Sequence, residues 1–108
     1  MATVVLTPDA AGDIAELPAP IVARMERLVV RLGQWPNVSG VKSLRGDLAG
    51  HYRLRTGDYR LQFRVEQRRT TVRVESVRKG KKVFEEEEVI EVKVIVEKAG
   101  HRDGFYEE

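Results

Sequence analysis

Cysteine is absent from the 108 residues, which excludes disulfide bonds and thiolate chemistry. Histidine is nearly absent too: His51 and His101 stand alone, without HxxxH or HExxH spacing, so we predict neither a metal site nor a cofactor. No apolar run approaches the roughly 18 residues that span a membrane. The N-terminus lacks a basic segment followed by an apolar one, which is the pattern of a signal peptide. We therefore expect a cytoplasmic protein with no membrane partner.

Motifs that bind nucleotides or activate a serine nucleophile are also missing. The chain has no GxxxxGK[ST] loop, no GxGxxG turn and no GxSxG elbow. With 42% hydrophobic and 33% charged residues, the composition fits a soluble globular protein whose surface is highly charged. The length suits one domain with one core, so residues 1–108 are interpreted as a single domain.

Charge is distributed unevenly along the chain. Residues 41–84 hold 13 Lys and Arg against 4 acids, whereas residues 85–108 hold 3 against 9. A basic middle followed by an acidic end indicates an anion-binding surface on one part of the molecule. The alternative is that the two segments pair with each other across a sheet, and the sequence beyond residue 66 leaves both interpretations open.

The most informative stretch is residues 50–66, GHYRLRTGDYRLQFRVE, which alternates with period two on both sides of Gly57-Asp58. This pattern predicts two strands joined by a type II′ turn, with Thr56 opposite Tyr59. One face is apolar and consists of Tyr52, Leu54, Leu61 and Phe63. The other face is polar and basic and consists of His51, Arg53, Arg55, Arg60, Gln62 and Arg64. Since we expect no carboxylate on the basic face, it is interpreted as a site for a polyanion.

The first third of the chain predicts a strand and a helical hairpin. Residues 3–7 form a β-branched run typical of a strand. Thr7-Pro8 has the form of a helix start, with Thr7 as the N-cap and Pro8 at the first helical position. This helix ends before Pro18, and a second helix with an apolar face extends from there to Gly33.

Beyond the basic hairpin the sequence predicts a second one. Residues 67–70 are interpreted as a polar turn. An extra hairpin is predicted around residues 71–89, because Lys79-Gly80 suits a type I′ turn. Ile90, Val92, Val94 and Val96 alternate with Glu91, Lys93 and Glu97, which predicts a further strand. Residues 37–49 are interpreted as a loop.

The segments SLRGDLAGHYRLRTGDYRLQFRV and GHRDGFY, following two helices, resemble the RelE/ParE superfamily of bacterial toxins, and its RelE branch more closely. The resemblance implies an α+β fold, with an N-terminal strand and a helical hairpin on a twisted antiparallel sheet. Relative to the family, the hairpin around 71–89 is an insertion. The resemblance also implies a messenger-RNA interferase of a type II toxin-antitoxin system. Its expected partners are a cognate antitoxin, with which it forms a hetero-oligomer, and the ribosome with its message.

The resemblance implies site residues position by position. Arg53 and Arg55 match the basic residues of the family's active strand, and Arg60 matches the arginine after the turn. Arg102 and Tyr106 match the C-terminal arginine and tyrosine. Arginine stands where the family has lysine at the first two positions, which keeps the charge but removes a realistic proton donor. His51, Gln62, Arg64 and Arg45 complete the expected RNA-binding surface.

The expected chemistry is attack of the RNA 2′-OH on the adjacent phosphorus, without a metal. Guanidinium groups would stabilise the charge on the phosphorus oxygens, and a base would remove the 2′ proton. Tyr106 is the predicted base, because neighbouring arginines lower the pKa of a phenol. His101 is the competing base. Two alternatives remain open: a ParE-like gyrase inhibitor, and a module of the same fold that binds RNA or antitoxin without catalysis.

Overall fold

Five strands form a single sheet in the computed structural model, which describes residues 1–105. They are β1 (Thr3–Leu6), β2 (Lys42–Ser43), β3 (His51–Thr56), β4 (Tyr59–Arg78) and β5 (Lys81–His101). The sheet order is β1-β5-β4-β3-β2. The predicted α+β class is confirmed, but the sheet is mixed and not wholly antiparallel. The reason is that β1 enters the sheet beside the last strand of the chain, and the two run parallel.

The hairpin of β3 and β4 has the predicted register. Thr56 lies opposite Tyr59, Arg55 opposite Arg60, and the pairing continues to His51 opposite Arg64. Gly57 has φ 57°. Such a positive φ at the first central position is the requirement of a type II′ turn, and it is why glycine stands there.

Two helices, α1 (Pro8–Ala15) and α2 (Ala19–Leu32), cover one face of the sheet. Thr7 caps α1 as predicted, since its hydroxyl oxygen accepts a hydrogen bond from the Ala10 N–H at 3.1 Å. The helices and the sheet share one core, whose buried members are Ala10, Ile14, Met25, Leu28, Leu32, Leu54, Leu61, Phe63, Val94, Val96 and Ala99. Neither described helix is long and apolar enough to cross a membrane.

The segment predicted as a loop between α2 and β3 contains two short regular elements. Lys42 and Ser43 form β2, which pairs with Arg53 and Tyr52 of β3, and a 3-10 turn spans Gly46–Leu48. A two-residue strand is too short to show alternation in the sequence, so it was not predicted.

Strands β4 and β5 continue far beyond the core as a two-stranded ribbon, here called the arm, residues 67–92. The prediction of a polar turn at residues 67–70 is wrong. Strand β4 is continuous from Tyr59 to Arg78, and every residue of 67–70 pairs with β5. The turn at Lys79-Gly80 is confirmed, with φ 51° and 75°. The extra hairpin is therefore an extension of the two central strands and not a separate unit.

Opposite charges face each other along the arm. Arg69 pairs with Glu88 at 3.5 Å, Arg78 with Glu85 at 3.5 Å and Lys82 with Glu75 at 3.3 Å. In addition, the guanidinium carbon of Arg73 lies 4.1 Å from the centre of the Phe84 ring. All these groups are exposed, so each contact contributes little to stability, and the arm has no buried hydrophobic residue of its own.

We predict that the arm is dispensable for folding. Replacing residues 67–92 by Asn-Gly would join Glu66 and Lys93, which are register partners, through a two-residue turn. Because every described buried hydrophobic lies outside the arm, the shortened protein should keep a cooperative thermal transition measured by circular dichroism. A full-length Val96→Ala control, which opens a cavity in the core, should lower the Tm by several degrees. Insolubility of the shortened chain would show instead that the arm completes the sheet.

Candidate nucleic-acid interface

The face of the sheet opposite the helices, here called the outer face, concentrates basic side chains. The register places Arg55 beside Arg60, Arg53 beside Gln62 and His51 beside Arg64. The flanking strands extend this set, because Lys42 of β2 pairs with Arg53 and Lys98 of β5 pairs with Gln62. Sequence reasoning did not assign these two lysines to the site, since that required knowing which strands flank the hairpin.

Arg60 is the central cation of the outer face. Its Nη1 atom is buried and has no hydrogen-bond acceptor within residues 1–105. A buried donor without a partner is destabilising, and a charged one more so. Directly across the ladder stands Arg55, which adds like-charge repulsion. An anion bound at this point would relieve both effects.

Phe105, the last residue that the structure describes, packs onto the outer face beside Arg60. Gly100 of β5 is the ladder partner of Arg60, and the Phe105 ring packs against Gly100, with Cδ1 3.6 Å from the point where a Cβ would stand. Phe105 is 2% exposed, and the Lys98 ammonium lies 4.7 Å from the centre of its ring. Phe105 was not among the predicted site residues. Tyr106, the predicted base, lies outside the described residues.

A carboxylate lies on the outer face, contrary to the prediction that none would. A bulge in β5 places one additional residue, Glu97, between the partners of Gln62 and Phe63. The Glu97 carboxylate contacts His51 Nδ1 at 2.5 Å and accepts a hydrogen bond from Arg64 Nη1 at 3.0 Å. His51 and Arg64 are therefore held by an acid, whereas Arg53, Arg55 and Arg60 form no ion pair with any described acid.

The same bulged segment is anchored by helix α1. The Ala99 N–H donates to Asp13 Oδ2 at 3.1 Å, and the Thr7 hydroxyl donates to the Glu97 carbonyl oxygen at 3.4 Å. Strand β1 pairs with β5 only as far as Val96. The Thr7 and Asp13 side chains therefore supply hydrogen-bond partners to backbone groups of β5 that β1 does not reach. These two hydrogen bonds fix the backbone of the bulge on the β1 side of β5.

Arg102 and His101 lie at the turn between β3 and β4. The Arg102 N–H donates to the Asp58 carbonyl oxygen at 2.7 Å, and its guanidinium lies 3.6 Å from the Asp58 carboxylate. His101 is the register partner of Tyr59, and their rings meet edge-on at 5.2 Å. The Tyr59 side chain lies on the face of the sheet that the helices cover, as those of Leu61 and Phe63 do. The structure therefore does not bring His101 to the arginines of the outer face.

Arg45 and Arg53 line one shallow surface depression at the β2 edge, together with Lys42. The predicted RNA-binding residues therefore lie on one surface, with His51 and Arg64 on the side of Glu97 and Arg45 at the β2 edge. No cluster of three metal-ligating side chains occurs among residues 1–105. The arrangement offers fixed positive charge for a phosphodiester backbone.

We predict that Arg60 lowers the free energy of unfolding of the protein. Arg60→Met keeps the length of the side chain but removes the buried unpartnered donor, so the free energy of unfolding in urea should rise by on the order of 1 kcal/mol. Arg68→Met, which removes an exposed cation of the arm, is the matched control and should change the free energy by less than about 0.5 kcal/mol. A marked loss of stability in Arg60→Met would mean that this arginine supports the fold.

Comparison with known proteins assigns the family. The family model described as ParE toxin of the type II toxin-antitoxin system matches residues 4–84. The crystal structure of the toxin-antitoxin complex RelBE2 from Mycobacterium tuberculosis contains a similar chain, with a TM-score of 0.63 and 25% identity over 94% of this chain and 98% of that one. None of the curated proteins matches significantly. The chain therefore belongs to the ParE toxin family, within the RelE/ParE superfamily, and is a toxin of a type II toxin-antitoxin system.

Proposed function

We propose that this toxin is an endoribonuclease that cleaves messenger RNA. The observation that carries the proposal is the buried Nη1 of Arg60, which lacks an acceptor among the described residues at the centre of a basic face. A phosphate of RNA beside Arg60 would offset the charge that Arg60 and Arg55 place together, and the planar guanidinium matches phosphate oxygens. A fold that only needed a basic surface could expose all its arginines to water, where they carry no desolvation penalty.

In the proposed reaction the 2′-oxygen attacks the adjacent phosphorus and the bond to the 5′-oxygen breaks. The products are a 2′,3′-cyclic phosphate and a 5′-hydroxyl. Arg60 and Arg102 stabilise the charge that develops on the phosphorus oxygens, and Arg53 and Arg55 position the strand and assist. Tyr106 accepts the 2′ proton, in the role that the family resemblance implies for the C-terminal tyrosine.

The proposed partners follow from the family and from the charge. The similar chain of known structure comes from a toxin-antitoxin complex, and we propose that this toxin likewise binds a cognate antitoxin. We further propose that it acts in the cytoplasm on message held by the ribosome. The basic face contributes the affinity for RNA through the release of counterions.

One observation favours a second function. The family model that matches is described by the name ParE. The ParE-like alternative that the resemblance leaves open is a gyrase inhibitor that does not cleave RNA. A gyrase inhibitor would not depend on a base at Tyr106. The two functions therefore differ in how they respond to removing a single hydroxyl group.

The basic face should determine the affinity for RNA. Arg53→Ala together with Arg55→Ala should weaken binding to a single-stranded RNA and reduce the slope of log affinity against log salt by about 1.4, because two phosphate contacts are lost. The matched control, Arg68→Ala with Arg78→Ala, removes the same charge from the arm and should leave the affinity largely unchanged. Equal effects of the two double variants would show that only net charge matters. Loss of the thermal transition in the first variant would make these arginines structural.

Induction of the toxin in a bacterium should create new 5′ ends within coding sequences, mapped by RNA sequencing. Tyr106→Phe should reduce these ends about 100-fold or more, because a positioned general base contributes at least that much. Binding of the antitoxin should be unchanged. If toxicity persists in Tyr106→Phe with unaltered message ends, while purified toxin inhibits gyrase supercoiling, the second function holds. If His101→Gln is inactive and Tyr106→Phe fully active, His101 is the base.

A further inference from the structure

His51 is held in one orientation on the outer face. Its Nδ1 lies 2.5 Å from one oxygen of Glu97, while Arg64 Nη1 donates to the other oxygen at 3.0 Å. The His51 side chain is 26% exposed and that of Glu97 is 19% exposed. A carboxylate only accepts hydrogen bonds, so Nδ1 is the donor in this contact. The second ring nitrogen, Nε2, is therefore left for another partner.

A histidine held this way is prepared for proton transfer. A carboxylate that binds one ring nitrogen fixes the orientation of the imidazole and leaves the other nitrogen to exchange a proton with a substrate. Here the second oxygen of Glu97 is fixed in turn by Arg64, and its backbone is fixed by the Thr7 hydroxyl. Glu97 is thus held at its carboxylate by His51 and Arg64 and at its backbone by Thr7. An exposed surface ion pair is usually held less firmly than this.

His51 lies beside the arginines of the outer face, at the end away from Phe105. Arg53 follows two residues along the same face of β3, roughly 7 Å away at the rise of a strand. At the far side of the arginines, Phe105 packs over Gly100, the partner of Arg60. His51 and Phe105 therefore lie at opposite ends of the group formed by Arg53, Arg55 and Arg60.

We infer that His51, oriented by Glu97, donates the proton that the leaving 5′-oxygen of RNA requires. This inference rests on the proposed endoribonuclease function. As the bond between phosphorus and the 5′-oxygen breaks, its electron pair moves to that oxygen, which takes the proton from Nε2 of the imidazolium. The neutral imidazole then regains a proton from water.

The test is single-turnover cleavage of a message bound to purified ribosomes, compared with the same message carrying sulfur in place of the 5′-bridging oxygen at the cut. A thiolate leaves without being protonated, because thiols are far more acidic than alcohols. His51→Gln should slow cleavage of the oxygen substrate by about 100-fold. On the sulfur substrate it should cleave within a few-fold of the unmodified toxin.

Two further variants make the result specific. Glu97→Gln, which alters the positioning residue, should slow cleavage of the oxygen substrate by about 10-fold. On the sulfur substrate its cleavage rate should return to within a few-fold of that of the unmodified toxin. Tyr106→Phe should remain slow on both substrates, because sulfur does nothing for removal of the 2′ proton. Restored cleavage also shows that a variant is folded. If His51→Gln fails to fold, the Glu97→Gln comparison decides.

The inference is overturned if His51→Gln cleaves the oxygen substrate at the rate of the unmodified toxin, or if it stays slow on the sulfur substrate. Failure of the proposed function would look different. In that case the unmodified toxin would cleave neither message, with every variant equally inactive.

Discussion

The pairing of β4 with β3 on one side and β5 on the other is the constraint on which the rest of the structure depends. Alternation along β4 sends Leu61 and Phe63 to the helices and Arg60, Gln62 and Arg64 to the outer face. A shift of one residue in either pairing would exchange the two sets and bury the arginines. The apolar core and the basic face are thus two consequences of one register.

That register also explains why the site is unfavourable in the absence of a ligand. The core fixes Arg55 directly opposite Arg60, and neither guanidinium is offset by a described acid. Glu97 contacts only His51 and Arg64, at the other end of the face. The packing of Leu54, Leu61 and Phe63, all nearly inaccessible to solvent, therefore stabilises a fold that holds unpaired cations in place. Charged groups held in unfavourable surroundings cluster at functional sites.

Local features of the chain were predictable because short-range rules determine them. The Gly57-Asp58 turn and strict alternation fixed the pairing of β3 with β4, and Thr7 and Lys79-Gly80 marked a helix cap and a turn. The bulge at Glu97 was not predictable, because one additional residue in a strand leaves no local pattern, yet it places a carboxylate beside a histidine 46 positions away. The polar residues 67–70 resembled a turn, and only their cross-strand partners in β5 show why they form a strand.

We propose that the outer face promotes cleavage of RNA through attack of the RNA 2′-hydroxyl on the adjacent phosphorus. The chemical nature of the cut ends tests this most directly, by incubating purified toxin with ribosome-bound message and analysing the fragments. The account predicts 5′-hydroxyl ends that polynucleotide kinase labels without prior phosphatase treatment, with 2′,3′-cyclic phosphate on the upstream fragments. Ends bearing 5′-phosphate and 3′-hydroxyl, or a message left intact by a toxin that still arrests growth, would contradict it.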